Sequence, residues 1–159
     1  MVKQSFLPII ASEPKILILG SLPGDLSIEM NQYYGHPRNR FWRIMFTIYK
    51  EDFSEDYQIR ERLIQNNHFA LWDVAHSATR KGSMDVDILD VVPNKIDELL
   101  KKYPTIRQLI FNGKKAEQLF KKHFEQKSTI IYTSLPSTSP ANAQFSTDRL
   151  IEIWKKALI

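Results

Sequence analysis

The chain has no cysteine at all, and only five glycines among its 159 residues. Without thiols there can be no disulfide, no thiolate-held iron–sulfur cluster and no cysteine nucleophile. The four histidines, at positions 36, 68, 76 and 123, lack the spacing of a zinc site, so neither a metal nor any other cofactor is expected. Long hydrophobic runs are missing too. Stretches such as Ile16 to Leu19 fall far short of the roughly 20 apolar residues a membrane-crossing helix needs. The opening MVKQSFLPIIASEPK has no long apolar core followed by a small-residue cleavage site, so a secretory leader is not expected and a cytoplasmic location is. Neither charge sign dominates: 22 Lys and Arg face 18 Asp and Glu, for a net charge of +4. That excess suits a polyanionic partner and equally an ordinary basic surface.

What is present alternates in type along the chain. Four short apolar runs, KILILGS (15–21), FALWDVA (69–75), RQLIFNG (107–113) and TIIYTSLPS (129–137), read as buried strands that end in small or polar residues. Between and after them lie helical patterns. RFWRIMFTIYK places Phe41, Ile44, Met45, Ile48 and Tyr49 at helical spacing, and NKIDELLKKYP opens with Asn94 and Asp97 in a capping arrangement. KKAEQLFKKHF and TDRLIEIWKKALI carry apolar stripes fit to pack on a sheet. The length suits one domain, residues 1–159. The expected fold is a three-layer α/β/α sandwich around a central, mainly parallel four-stranded sheet, with ligands outside the carboxyl ends of the strands.

Four constellations stand out, most of them at those strand ends. GSLPGDLS, after the first strand, is a stiff loop whose N–H groups can face an anion or a carbonyl; it has neither the Walker pattern nor the dinucleotide fingerprint. NQYYGHPRNRFW breaks at His36-Pro37 and resumes as a helix near Asn39, which is either the helix cap or a catalytic amide, while Tyr34 offers a stacking face. SLPSTSPANAQF concentrates the hydroxyls of Ser134, Ser137, Thr138 and Ser139 around two prolines, neutral donors suited to phosphates. LWDVAHSATRKGSMD brings Asp73 to a strand end, where it can pair with the edge of a base, followed by Arg80 and Lys81, which can meet a nucleic-acid backbone. In FNGKKA, Asn112 caps a helix or bonds within the site.

In combination these motifs resemble the uracil-DNA glycosylase superfamily. GSLPG is similar to its first motif, YYGHPRNRFW to the segment that follows in the mismatch-specific uracil and thymine enzymes, and LPSTSPANAQF to the DNA-clamping motif. The likeness spans roughly Lys15 to Leu158. Better-known branches hold the attacking water with an Asp or Asn third in the first motif, where this chain has Leu22. The pattern resembles more closely the hypoxanthine-DNA glycosylase branch, in which the Asn of His-Pro-x-Asn supplies the essential amide; here that is Asn39.

The resemblance implies hydrolysis of the N-glycosidic bond of a deaminated base, hypoxanthine ahead of uracil or xanthine, flipped out of DNA by a monomeric enzyme. Asn39 would align water through its carbonyl, and Ser137 or Ser139 would join backbone donors around Leu22, Pro23 and Gly24 in stabilising the departing base. Tyr34 would stack on the base, Asp73 would read it and Asn112 would line its pocket. Ala141 or Asn142 stands where relatives insert a wedge. No lysine is aimed at C1′, so a monofunctional enzyme without lyase activity is expected. A glycosylase for G·U or G·T mismatches and a non-catalytic nucleic-acid-binding module of the same fold are the alternatives.

Overall fold

The computed structural model describes residues 1–159. Its elements run β1 (Val2–Gln4), β2 (Ile9–Ile10), β3 (Ile16–Gly20), α1 (Asp25–Met30), α2 (Phe41–Ile48), α3 (Tyr57–Asn66), β4 (Phe69–Asp73), β5 (Ala75–Thr79), β6 (Leu89–Pro93), α4 (Ile96–Lys102), β7 (Gln108–Asn112), α5 (Lys114–His123), β8 (Ile131–Leu135) and α6 (Thr147–Leu158), with a 3-10 turn at Asp85–Asp87.

The four apolar runs become β3, β4, β7 and β8, all mutually parallel where they pair. The main sheet has five strands rather than four, in the order β2-β4-β3-β7-β8, because the two-residue β2 adds antiparallel to the β4 edge. A pair of residues is too short to show a period, so the sequence carries no signal for it. Along β3 and β7 successive side chains enter opposite cores. Leu17, Leu19, Leu109 and Phe111 pack with α4 and α5, while Ile18 and Ile110 pack with α2, α3 and α6. Burial on both faces explains why these strands read as continuous apolar runs, and it sets the three layers.

A second sheet, β1-β5-β6, is antiparallel and sits beyond the carboxyl end of β4. Its strands escape a sequence reading: β5 is AHSAT, β6 ends in Pro93, and their register is interrupted twice. Asn94 does not cap α4 as expected. That helix begins at Ile96 without a side-chain cap, and Asn94 Nδ2 donates instead to the carbonyls of Asp73 (2.8 Å) and Ala75 (3.2 Å). It thereby fixes the bend at which the chain leaves the main sheet for the small one.

Helix α6 covers one face of the main sheet and also holds a loop. Its buried Trp154 packs edge-on to Phe41 and donates from Nε1 to the carbonyl of Pro136 (3.1 Å) at the end of β8. Trp154→Phe keeps most of the ring but leaves that carbonyl unpaired and a void beside it. A loss of about 1–2 kcal/mol is expected, lowering the thermal midpoint followed by circular dichroism by about 2–8 °C.

Candidate active site

The carboxyl ends of β3, β4, β7 and β8 deliver Gly20, Asp73, Asn112 and the Pro136–Asn142 loop to one edge, and the Tyr33–Arg40 segment crosses it from the α2 side. Bonds within this edge are specific. Asn39 Oδ1 accepts from the N–H of Phe41 (2.9 Å), the first residue of α2, and from the hydroxyl of Thr138 (2.9 Å); the cap position itself is held by Arg40, one residue later than expected, and carries no side-chain cap. Thr138 Oγ1 accepts from Asn112 Nδ2 (3.0 Å), and the Thr138 N–H donates to Asn112 Oδ1 (3.0 Å). Three residues from three loops thus share one hydrogen-bond chain.

Thr138 is 0% exposed, so its hydroxyl cannot reach a phosphate as expected; it is the hub of the site instead. Its neighbours hold the loop in a tight turn, with Ser137 Oγ accepting from the Ser139 N–H and Ser139 Oγ from the Ala141 N–H. Asn142 Nδ2 donates to the Ser137 carbonyl, and Ala141 stands exposed. Ser134 lies apart, on the exposed stretch of β8 before this loop begins.

The same loop is fastened by a residue the sequence reading passed over. The Arg40 N–H donates to the Thr138 carbonyl (3.1 Å), and its guanidinium reaches the carbonyls of Ser139 (3.0 Å), Asn142 (2.9 Å) and Phe145. Nothing local distinguishes Arg40 from the exposed Arg38 two positions earlier. Only the long-range fold brings the loop to it.

Tyr34 lies in the left-handed region (φ 53°), and its ring stacks on Phe41 at 4.3 Å between centroids. One ring face is therefore occupied, and only the other can serve a base. Its hydroxyl is buried without a hydrogen-bond partner, near Asn112 and Asp73, and burial together with the Asp73 charge pushes its pKa up, keeping the phenol neutral. Gly20 makes room for both groups. A methyl there would stand 2.6 Å from Asp73 Oδ1 and 2.9 Å from the Tyr34 hydroxyl.

Asp73 is 3% exposed, and burial pushes its pKa up to about 7, opposed chiefly by the hydroxyl of Ser5, which donates to Oδ2 at 2.6 Å. Ser5 comes from the segment after β1, sixty-eight positions away, and no local pattern could have pointed to it.

The first-motif loop is braced from behind. Leu22 is buried in a small cluster with Ala75, Ala78 and Ile88, so no polar side chain stands at that position. The N–H groups of Leu22 and Gly24 have no partner within the protein. The Pro23 carbonyl accepts from Arg80 Nη2 (2.5 Å), and Arg80 Nε donates to Gly82 (2.8 Å). At 1% exposed, Arg80 cannot meet a nucleic-acid backbone as expected. An arginine after AHSAT reads as a surface charge, but the small sheet turns it inward onto carbonyls. Lys81, next in sequence, is exposed, as are Arg38 and Lys114.

Asp73, Tyr34, Asn112, Thr138 and Asn39 therefore form one polar row across the strand ends, with Leu22 to Gly24 alongside. No helix in the molecule is long and apolar enough to cross a membrane.

Known proteins resemble this chain in sequence and in fold. Residues 7–158 match the Uracil DNA glycosylase superfamily. A hypoxanthine DNA glycosylase of Methanosarcina barkeri is 45% identical over 117 residues, covering 73% of this chain and 74% of that protein. One from Methanosarcina acetivorans is 38% identical over 160 residues, covering 98% and 97%. A solution NMR structure of a candidate uracil DNA glycosylase from Methanosarcina acetivorans superposes with a TM-score of 0.81 at 36% identity, over 99% of this chain and 97% of that one.

Two stability measurements test the row. Thr138→Val keeps the shape but deprives Asn112 Nδ2 of its acceptor and Asn39 Oδ1 of one donor; about 1–2 kcal/mol should be lost, lowering the thermal midpoint by about 2–8 °C. Asp73 binds its proton more tightly folded than unfolded, since its pKa rises from 3.8 to about 7. Its contribution is then full below pH ~4 and is lost as pH rises to ~7, by up to ~4 kcal/mol. Asp73→Asn should remove that decline, so denaturant unfolding at several pH values should show the variant gaining on the parent between pH ~4 and pH ~7.

Proposed function

The chain belongs to the uracil DNA glycosylase superfamily, and from that premise we propose that it is a monofunctional DNA glycosylase that removes deaminated bases, hypoxanthine before uracil or xanthine. The observation that supports this reading best is the polar row from Asp73 to Asn39, set beside a first-motif position filled by the buried Leu22. An aliphatic side chain there cannot orient water, so the chemistry passes to Asn39.

The base must leave the duplex to bring C1′ and its leaving edge to these groups. Its edge meets Asp73, whose ionised carboxylate accepts the N1–H of hypoxanthine or the N3–H of uracil, and its face rests on the free side of the Tyr34 ring. As the C1′–N bond lengthens, positive charge grows on the sugar and negative charge on the base. The unpartnered N–H groups of Leu22 and Gly24, with the hydroxyl protons of Ser137 or Ser139, stabilise the base. Water then adds to C1′ and leaves an abasic site. No metal or cofactor takes part. The exposed Lys81, Arg38 and Lys114 supply positive charge along the same edge for the DNA backbone, and the Ser137–Asn142 turn closes on the strand. The enzyme works as a monomer, in the cytoplasm alongside the nucleoid.

The test is incubation with matched duplexes carrying deoxyinosine, deoxyuridine, deoxyxanthosine or a G·T pair, followed by alkaline strand cleavage. Inosine should be cut fastest, and Asn39→Ala should slow it by about 100–1000-fold while the far-UV circular dichroism is unchanged. Preferential cutting at G·T would assign the chain to mismatch repair instead. An intact protein that cuts none of the four would overturn the reading.

A further inference from the structure

The hydrogen bonds around Asn39 determine which end of its amide is available for chemistry. Its carbonyl oxygen has two lone pairs, and both are met by protein donors: the N–H of Phe41 and the hydroxyl of Thr138, each at 2.9 Å. Neither donor can be reversed. A backbone N–H can only donate, so the amide atom facing Phe41 is the oxygen. The Thr138 N–H fixes Asn112 in the same way, with Oδ1 facing it, which turns Asn112 Nδ2 toward Thr138 Oγ1 and sends the Thr138 proton to Asn39. Two independent backbone N–H groups thus orient the whole chain. Flipping Asn39 would set its NH2 against the Phe41 N–H, donor against donor.

What remains is Asn39 Nδ2, which donates to nothing within the protein and is not buried, although the residue as a whole is half-covered. The amide is also held in place. The next residue, Arg40, ties its N–H to the Thr138 carbonyl and its guanidinium to three further carbonyls of the same loop, so Asn39 cannot turn without unfastening that loop. This group therefore offers N–H and no acceptor. The carbonyl-held water expected from the sequence has no vacant lone pair to receive it.

We propose that Asn39 acts as a hydrogen-bond donor to the departing base: its Nδ2 hydrogens bond an acceptor atom of the 6-oxopurine, a ring nitrogen or the carbonyl oxygen, and stabilise the negative charge that forms there. The proposal rests on the glycosylase reading above. In the step itself the bond from C1′ to the base nitrogen breaks, and its electron pair goes to the base. A water oxygen bonds to C1′ and releases a proton to solvent, and the base anion takes up a proton as it leaves. Donation to the water oxygen would instead draw electron density from the nucleophile and weaken its attack, so the base is the productive partner. A site that pulls on the leaving group needs only a loosely held water, because an oxocarbenium-like sugar reacts with a weak nucleophile. That is consistent with the buried Leu22 at the position where a water-holding side chain is absent.

Asn39→Asp tests this directly. The carboxylate keeps an oxygen for the Phe41 N–H and the Thr138 hydroxyl but replaces the outward donor with an acceptor. Single-turnover excision of hypoxanthine from duplex DNA by the full chain should fall by about 100-fold or more, as far as in Asn39→Ala, with the thermal midpoint close to that of the parent. The pH profile gives a second readout. Asp73 on the same edge takes up its proton near pH 7 in parent and variant alike, so the readout is the ratio of Asn39→Asp to the parent at each pH. That ratio should climb as pH falls toward the carboxyl range near ~4, where the protonated acid regains an O–H to donate. Retention of near-parent activity by Asn39→Asp, or a ratio to the parent that rises with pH, would show a water-holding acceptor and overturn the proposal. It would equally be overturned if both variants bound hypoxanthine DNA more weakly, in a fluorescence titration, yet excised at the parent rate once saturated, since the amide would then serve the DNA backbone. Failure of the parent itself to excise any deaminated base is a separate result and removes the glycosylase reading as well.

Discussion

The hydroxyl of Thr138 is the bond on which the site depends. It lies in a fully buried position, receives one hydrogen bond from Asn112 and gives one to Asn39, and so joins the end of β7, the loop after β8 and the entry to α2. In a region shielded from water each partner is costly to leave unmatched, so the three loops hold one arrangement rather than several. The orientation of both asparagine amides follows from this bond and from two backbone N–H groups. Which end of the Asn39 amide is left open follows from which of its atoms the fold has already used.

Two arginines, the half-buried Arg40 and the buried Arg80, perform a related task on either side. Arg40 gathers the carbonyls of the loop that ends the fourth parallel strand, and Arg80 gathers those of Pro23 and Gly82 behind the first-motif loop. Desolvation lowers the pKa of both, opposed at Arg80 by nearby carboxylates, chiefly that of Asp25. A guanidinium tolerates this better than an ammonium because its fixed fork meets several carbonyls at once. The outcome is two rigid loops facing one another across the strand ends, with Asp73 and Tyr34 packed above Gly20 between them. Of the charged residues nearby, Arg38, Lys81 and Lys114 remain exposed.

Asp73 illustrates how placement gives a common side chain an uncommon property. At the end of a buried parallel strand its carboxyl loses water and gains a single hydroxyl donor from Ser5, so its pKa stands near neutrality, at about 7. The group can therefore change charge within the range where a cell works. The small antiparallel sheet produces this environment. It carries β1, and with it Ser5, over the carboxyl edge of the main sheet.

The amino-acid sequence by itself determined the four parallel strands and the helices α2, α4, α5 and α6, because an apolar side chain every second or every third to fourth residue has one economical way to be buried. It also marked the loops that hold Asp73, Asn112, Asn39 and Thr138, since glycine, proline and hydroxyl residues cluster where parallel strands end. The tertiary structure decided what those residues do. Thr138 and Arg80 read as surface groups and are buried; Arg40 and Ser5 gave no local signal and hold the site together; Asn39 presents its N–H and not its carbonyl. Apart from the local bonds of Asn39 to Phe41 and of Arg80 to Gly82, these roles depend on partners 26 to 105 positions away along the chain, and a hydrogen bond's direction is set by the partner's chemistry once folding has brought the two together.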